Sequence, residues 1–479
     1  MTVSNRLFDE IRVGDTAEAR RVCTDDDLYV FAHSSGNLNP LHLPDRGGGD
    51  AARQPLAPSM WAGALVSKVI GTALPGPGAL YRAQSFTFHD RVFVGDELVI
   101  RVRVIEKREP RLLVMETRVA KTDGALVVDG IAEVFAPVDR LTLEETEAPP
   151  VMVHRHEQFD RMLAACRSMA PLPTAVVCPE DGASLGGALM AADAGLIVPV
   201  MIGARGAMER AAADLGRTLD GLELVDIGDG RLAAAHAVAL VHAGKVRAIM
   251  KGALHTDTLL EQVVKRDGGL RSDRRISHVF VLDTPGLDHP LFISDAAINI
   301  LPNLAAKTDI VQNAIDLARA CGLERPRVGI LSAVETVNPN IPSTLDAAVL
   351  SKMAERGQIR GGIVDGPLAM DNAIDLEAAR TKGITSKVAG RAEVLIVPNM
   401  EAGNMLAKEL TFIAHAEAAG LVLGATVPVM LTSRADSARA RLVSCAVALL
   451  YDEWRRTGQG RIGGRAGVPE PGASPKASQ

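Results

Sequence analysis

Val427-Pro428-Val429-Met430-Leu431 runs directly into Thr432-Ser433-Arg434-Ala435-Asp436-Ser437, and that turn runs directly into a segment of helical spacing, Ala438 to Arg455. The apolar run is too short for a helix and suits a buried strand, so the unit reads strand, turn, helix. A helix start offers free backbone N–H groups and the positive end of its dipole. A hydroxyl, a guanidinium and a carboxylate crowd onto this turn, which suits it to phosphate or another oxyanion. The same residues also suit plainer roles. Ser433 and Asp436 are good N-caps, and Arg434 would serve in a surface ion pair.

Outward from this stretch the pattern repeats. Short apolar segments at Ala175–Cys178, Val198–Ile202, Val246–Met250, Val279–Leu282, Val328–Leu331, Gly362–Val364, Val394–Val397 and Val427–Leu431 alternate with longer helical ones. That alternation predicts a mostly parallel sheet with helices on both faces. Residues 1–140 have another texture. Leu98-Val99-Ile100-Arg101-Val102-Arg103-Val104 and the run Leu112 to Val119 alternate apolar with polar, as antiparallel strands with one buried face do. The segment Met60 to Ala73 is small and apolar on every side, which predicts a buried helix wrapped by a curved antiparallel sheet. The expected organisation is therefore an α+β domain at 1–140, a polar, Pro-containing linker at 141–156, an α/β domain at 157–456, and a disordered Gly/Pro/Ser tail at 457–479.

The bulk numbers agree with a large globular chain. Its 479 residues allow about two to four domains, and 47% are hydrophobic while only 3% are aromatic. Net charge is −6 with both signs mixed, which gives no basic face for nucleic acid. The five cysteines (Cys23, Cys166, Cys178, Cys321, Cys445) form no CxxC pair, as expected of a reduced cytoplasmic protein with no structural metal. Met1 to Asp15 lacks the apolar core of a signal peptide, and no run approaches the roughly 18 apolar residues of a membrane span.

Ligands of open α/β sheets bind beyond the carboxyl ends of the strands. Five strand exits carry polar or Gly-rich turns, which predicts a shared cleft: Lys251-Gly252, Ser332 to Glu335, Asp365-Gly366-Pro367, Pro398 to Asn404, and the Ser433-Arg434 turn. Lys251 also suits a simple turn. Glu401 and Asn404 suit capping of the next helix, and Gly403 suits close backbone approach. GxxxxGKS does not occur, and the GxGxxG spacing at Gly458 to Gly463 lies in the Gly/Pro/Ser tail after a segment of helical spacing rather than after a strand, so no dinucleotide fingerprint or P-loop is present.

Residues 157–455 resemble the phosphate acetyl/butyryl transferase family. The resemblance lies in Met250-Lys251-Gly252, Ser332 to Pro339, Asp365-Gly366-Pro367-Leu368-Ala369-Met370-Asp371-Asn372-Ala373, Val397 to Asn404 and Leu431 to Ser437. It implies a two-lobed α/β fold like that of isocitrate dehydrogenase, and reversible acyl transfer between CoA and phosphate. Coenzyme A would be a substrate, with no tightly bound cofactor. The resemblance implies that Ser433 hydrogen-bonds the carbonyl or intermediate, that Arg434 holds phosphate and that Asp436 is the thiol base. Lys251, Gly252, Asn399, Glu401, Gly403 and Asn404 would line the substrate site. Two departures point to the butyryl branch. The acetyl branch carries its acid further past the Ser-Arg pair, and it has an Arg in the helix that here begins His255-Thr256-Asp257.

Near the N-terminus, Thr24 suits the cap of a short helix, and Asn39-Pro40 predicts an extended turn that presents His42. A lone loop His is more often structural than catalytic. The order Ser35-Gly36-Asn37-Leu38-Asn39-Pro40-Leu41-His42, with Pro75 to Gly78 and Asp90 to Asp96, resembles the MaoC-like (R)-specific enoyl-CoA hydratases. That family has a hot-dog fold, in which an Asp and a His activate water. Asn37 stands at the Asp position, and an amide is no proton acceptor at neutral pH. Pro58-Ser59 replaces the His-Gly whose helix N–H polarises the thioester. The expectation is an acyl-CoA-binding domain with weak hydratase activity at His42, Asn37 and Ser59. Both resemblances imply a homo-oligomer. A second reading, a non-catalytic sensor of acyl-CoA and phosphate, draws on the missing acid at Asn37 and the displaced Asp436.

Overall fold

A computed structural model describes residues 2–43, 55–144, 153, 156–431 and 437–462. The chain divides into two compact units, Met1–Val153 and His154–Gln479.

In the first unit, alternation dictates the sheet. Along Glu97–Arg108 the side chains of Leu98, Ile100, Val102 and Val104 are buried, while Arg101 and Arg103 face solvent. This strand pairs antiparallel with Thr16–Val22 on one side and Leu112–Lys121 on the other. Leu126–Phe135 and Leu80–Gln84 complete the order, and Thr87–Phe88 also pairs with Leu126–Phe135. The apolar segment forms a helix, Ser59–Thr72. It buries Trp61, Ala62, Val66, Val69 and Ile70 in one cluster with Ile100, Val102, Leu113 and Met115. Each buried Val, Ile, Leu or Met side chain among them contributes roughly 1.5–3 kcal/mol by leaving water. This is the sheet around a helix expected of a hot-dog domain.

The expected linker departs from a free connector. Thr142–Glu144 pairs antiparallel with Thr2–Ser4, and the Asn5 amide ties this ribbon together by donating to the Pro77 and Asp139 carbonyls. The end of the chain departs as well. The last helix runs Ala438–Thr457, Gly458 closes it in the left-handed conformation, and Arg461 folds back to pair with Glu453 at 2.6 Å. The rest of the expected tail, 463–479, lies outside the described residues.

The second unit is built on an eleven-stranded sheet. Its order is Glu223–Asp226, Ile197–Gly203, Leu172–Val177, Ala248–Lys251, Val429–Met430, Glu417–Leu423, Ser277–Asp283, Leu291–Ser294, Val394–Ile396, Arg327–Leu331, Ile363–Leu368. Pairing is parallel except at a central seam, where Glu417–Leu423 and Ser277–Asp283 run antiparallel to each other and to their outer neighbours. Helix Ala438–Thr457 buries Val443, Cys445, Ala446, Val447, Leu449 and Leu450 within the largest apolar cluster, together with helix Leu304–Ala320.

Three strands of this sheet escape periodicity. Glu417-Ala418-Ala419-Gly420 begins a strand with residues of low strand preference. Leu291–Ser294 is four residues long, and Glu223–Asp226 is a short edge strand with an acid at each end. All three form because neighbours supply the ladder.

Candidate functional site

The antiparallel seam reverses the sheet. The strands ending at Lys251 and Met430 leave one edge, whereas those ending at Ser294, Ile396, Leu331 and Leu368 leave the opposite edge. The five polar exits therefore form two groups. The expected shared cleft would have to draw on exits from both edges of the sheet.

At the first edge, Met250 is in register with Met430, so Lys251 and Leu431 leave adjacent parallel strands side by side. Lys251 is 7% exposed, and its ammonium donates to the Gly252 and Leu254 carbonyls, each at 3.2 Å. Gly252 sits against the end of the neighbouring strand, donating its N–H to the Val177 carbonyl at 2.7 Å. Ala253 N donates to the Cys178 carbonyl at 2.6 Å. Cys178 itself takes a left-handed φ of 52°. Burial first, then the charges of Glu180 and Asp229, push its thiol up to about 12, which leaves it a neutral structural group rather than a nucleophile.

The stretch that begins at Thr432 carries the three expected catalytic residues. Ser433, Arg434 and Asp436 lie outside the described residues. The helix after the turn is capped by Ser437, whose hydroxyl accepts the Ala440 N–H at 3.1 Å. The capping role considered for Ser433 and Asp436 thus belongs to Ser437.

At the opposite edge, Asn399 caps helix Met400–Phe412 by accepting the Ala402 N–H at 2.9 Å. Glu401 is exposed in the first turn of that helix. Gly403 is buried where a Cβ would lie 2.9 Å from the Asp295 carbonyl and 3.1 Å from the Ala296 Cα. Asn404 donates to the Ala296 carbonyl at 3.3 Å. Gly403 and Asn404 therefore brace the loop after Ser294, while Asn399 is occupied as a cap.

That loop holds a residue that sequence reasoning missed. The buried Asp295 carboxylate accepts the N–H groups of Ala297, Ile298 and Asn299 at 3.0–3.1 Å, and the Asn299 amide at 2.5 Å. Beside it is His278, fully buried on the seam strand, its Nδ1 without a hydrogen-bond partner. Burial holds the imidazole down at about 4, against the opposing pull of the Asp295 charge, so the ring is neutral at pH 7. Two signals in the sequence mark this place: a single His in an apolar strand, and Gly420 inside another strand, which often marks close backbone approach.

In the first unit, Thr24 caps helix Asp25–Ser35 in a capping box with Asp27. Gly36 ends it with a φ of 71°. Asn37 turns its side-chain oxygen to the Asn39 N–H at 3.2 Å, and Asn39 caps the short turn Pro40–His42. The ring of His42 is fixed: its Nδ1 lies 2.7 Å from the Leu56 carbonyl. A carbonyl only accepts, so Nδ1 carries the proton and Nε2 of the neutral ring keeps its lone pair. Leu56 lies three residues before Ser59, the exposed first residue of the buried helix. His42 is thereby tied to the chain that leads into the helix end, where free N–H groups gather.

Among the described residues, no group of three or more His, Cys, Asp or Glu is placed to hold a metal ion, and no helix is long and apolar enough to cross a membrane.

The family described as phosphate acetyl/butaryl transferase matches residues 230–449, and the MaoC like domain matches residues 11–125. A phosphate acetyltransferase of Rhizobium meliloti is 59% identical over 302 residues, covering 63% of this chain and 96% of the relative. A phosphate butyryltransferase of Clostridium acetobutylicum is 40% identical over 294 residues, covering 61% of this chain and 98% of the relative. Among solved structures, a branched-chain phosphotransacylase from Enterococcus faecalis V583 is 30% identical with a TM-score of 0.51, covering 58% of this chain and 99% of that one. With its N-terminal MaoC-like domain, the chain belongs to the phosphate acetyl/butyryl transferase family.

Proposed function

We propose that the second unit transfers a short acyl group reversibly between CoA and phosphate: acyl-CoA and phosphate give acyl phosphate and free CoA. The observation that carries this reading is the Met250–Met430 register. It sets the Lys251-Gly252 exit beside the strand from which Thr432-Ser433-Arg434 departs. Two cationic residues and a helix start thus belong to neighbouring exits, an arrangement suited to a phosphate dianion.

In the forward direction a phosphate oxygen attacks the thioester carbonyl carbon, the carbonyl oxygen gains the negative charge, and the C–S bond then breaks. Arg434 holds the phosphate, and the Ser433 hydroxyl donates to the developing oxyanion. Asp436 takes the proton that the attacking hydrogen phosphate loses and gives it to the thiolate as CoA leaves; in reverse it removes the thiol proton and passes it to the departing phosphate. Coenzyme A acts as substrate, with no tightly bound cofactor. The work is done by a homo-oligomer in the cytoplasm.

The first unit binds acyl-CoA and hydrates enoyl-CoA weakly. His42 Nε2 is the base that takes a proton from water, and the helix end at Ser59 meets the thioester carbonyl. Asn37 leaves the site without a carboxylate.

One experiment tests both units: thiol release from a panel of acyl-CoA chain lengths, with and without phosphate, beside a separate hydration assay on crotonyl-CoA. Phosphate-dependent release supports the transferase. Saturable CoA binding without phosphate-dependent turnover on any chain would instead establish a sensor.

A further inference from the structure

Helix Met400–Phe412 is covered on one face and bare on the other. Gly403 and Ala407 are buried, and Leu406 and Leu410 pack into the apolar cluster that holds Leu395 and Val397. On the opposite face Glu401, Met405, Lys408 and Phe412 are all exposed, and their helical spacing sets them in one stripe. Met405 is 65% exposed, and Phe412 and Ile413 at the helix end are 73% and 72% exposed. The loop that Gly403 and Asn404 brace adds Ile300 at 63% and Leu301 at 79%. Among the described residues of the second unit, no other large apolar side chain is as exposed as these five. Single exposed apolar residues are ordinary, but a concentration of them marks a docking surface.

Two charges on the stripe show what docks there. Neither finds an opposite charge on its own helix. The residues three and four places from Glu401 are Asn404 and Met405, and those from Lys408 are Asn404, Met405, Thr411 and Phe412. An antiparallel pair of these helices, related by a twofold axis beside Met405, sets Glu401 of each copy against Lys408 of the other. The same axis brings the two Met405 side chains together. It carries Phe412 and Ile413 past the start of the second copy's helix, which is where Ile300 lies: Met400 N donates to the Ile300 carbonyl at 3.1 Å. A parallel pair would instead set each charge against its like.

We infer that the exposed stripe of helix Met400–Phe412 is a twofold interface at which the second unit pairs with a second copy of this chain. Met405 lies at its centre, and the two Glu401–Lys408 pairs set direction and register. The inference names the contact surface of the homo-oligomer in the reading above, and rests on that reading. Burial of Met405, Phe412 and Ile413 supplies the attraction. Ion pairs at the rim add little affinity and chiefly fix orientation. Glu401 then serves pairing rather than the substrate site.

The test is the particle mass of the full-length chain, measured by sedimentation over a dilution series. Wild type is compared with Lys408→Glu, Met405→Asp and the double variant Glu401→Lys/Lys408→Glu. Loss of a twofold contact at least halves the particle, whatever other contacts the assembly holds. Lys408→Glu opposes acid to acid twice and is expected to raise the dissociation constant by about tenfold or more. Met405→Asp sets two carboxylates at the axis and is expected to raise it by about a hundredfold or more. The double variant exchanges the charges and is expected to return to within about threefold of wild type, which misfolding of the single variant would not allow. A mass that stays at the wild-type value in both single variants would overturn the inference and leave the stripe to another occupant. A double variant as weakened as Lys408→Glu would overturn the antiparallel register. A wild type that is monomeric at every concentration would instead overturn the homo-oligomer reading beneath it.

Discussion

Gly252 lies so close beneath Cys178 that a Cβ on it would stand 2.2 Å from the Cys178 carbonyl oxygen. Both residues are at strand exits, and the obstructing atom is backbone, which has little room to yield. Gly252→Ala is expected to destabilise the second unit by about 1–3 kcal/mol, the usual scale of overpacking. Denaturant unfolding followed in that unit checks it. An unchanged midpoint would mean that the two exits are not in contact.

The buried imidazole of His278 makes stability depend on pH. Its folded value is depressed from 6.5 to about 4. Between those limits the unfolded chain binds a proton that the folded chain does not, so unfolding becomes easier as pH falls. The contribution is intact above about pH 6.5 and is lost as pH approaches 4, a loss on the order of 3 kcal/mol. Comparing wild type with His278→Leu at pH 7 and pH 4.5 isolates this term from the carboxylates. The variant is expected to lose less stability over the interval, and equal losses would contradict a neutral buried ring.

In the first unit, His42 is oriented and Asn37 lacks an acid. Asn37→Asp is expected to raise crotonyl-CoA hydration by about a hundredfold, within the range of one acid–base group. His42→Ala should abolish it. Hydration that persists undiminished in His42→Ala would show that the water is activated elsewhere.

The Ser433-Arg434 turn is tested by rate. Ser433→Ala is expected to slow phosphate-dependent thiol release by about 10²–10³-fold, as removal of an oxyanion donor does. Arg434→Lys keeps the charge but loses the planar fork, so it should chiefly raise the KM for phosphate. Rates within a few-fold of wild type for both would place the chemistry at other residues.

Much of the fold was legible in local pattern. Eight of the sheet's strands were foreseen from short apolar runs, and helix Ser59–Thr72 from its small apolar residues. Thr24 foretold the helix it caps. Of the seam, Ser277–Asp283 was foreseen but Glu417–Leu423 was not, because Glu417-Ala418-Ala419-Gly420 has weak strand preference and pairs because Ser277–Asp283 and Val429–Met430 lie beside it. The reversal of strand direction was hidden with it. Reading five exits as one shared cleft took no account of an antiparallel seam within a mostly parallel sheet. At the sites, Asn399 proved to be a cap and Gly403 a close-packing position, roles that the residue types allowed. Asp295 passed unnoticed, because an acid binding three backbone N–H groups of its own loop leaves no motif.

Sequence alone supplied the residues on which the proposed chemistry rests: Ser433-Arg434-Ala435-Asp436 after an apolar run, Lys251-Gly252 and Asn37 are covalent facts of order and side-chain type. Tertiary structure alone decided which of these exits are neighbours, which nitrogen of His42 keeps its lone pair, and that His278 fills the space opposite Gly420. Those are contacts between residues far apart along the chain. They depend on strand order and register, which nearest neighbours in sequence do not encode.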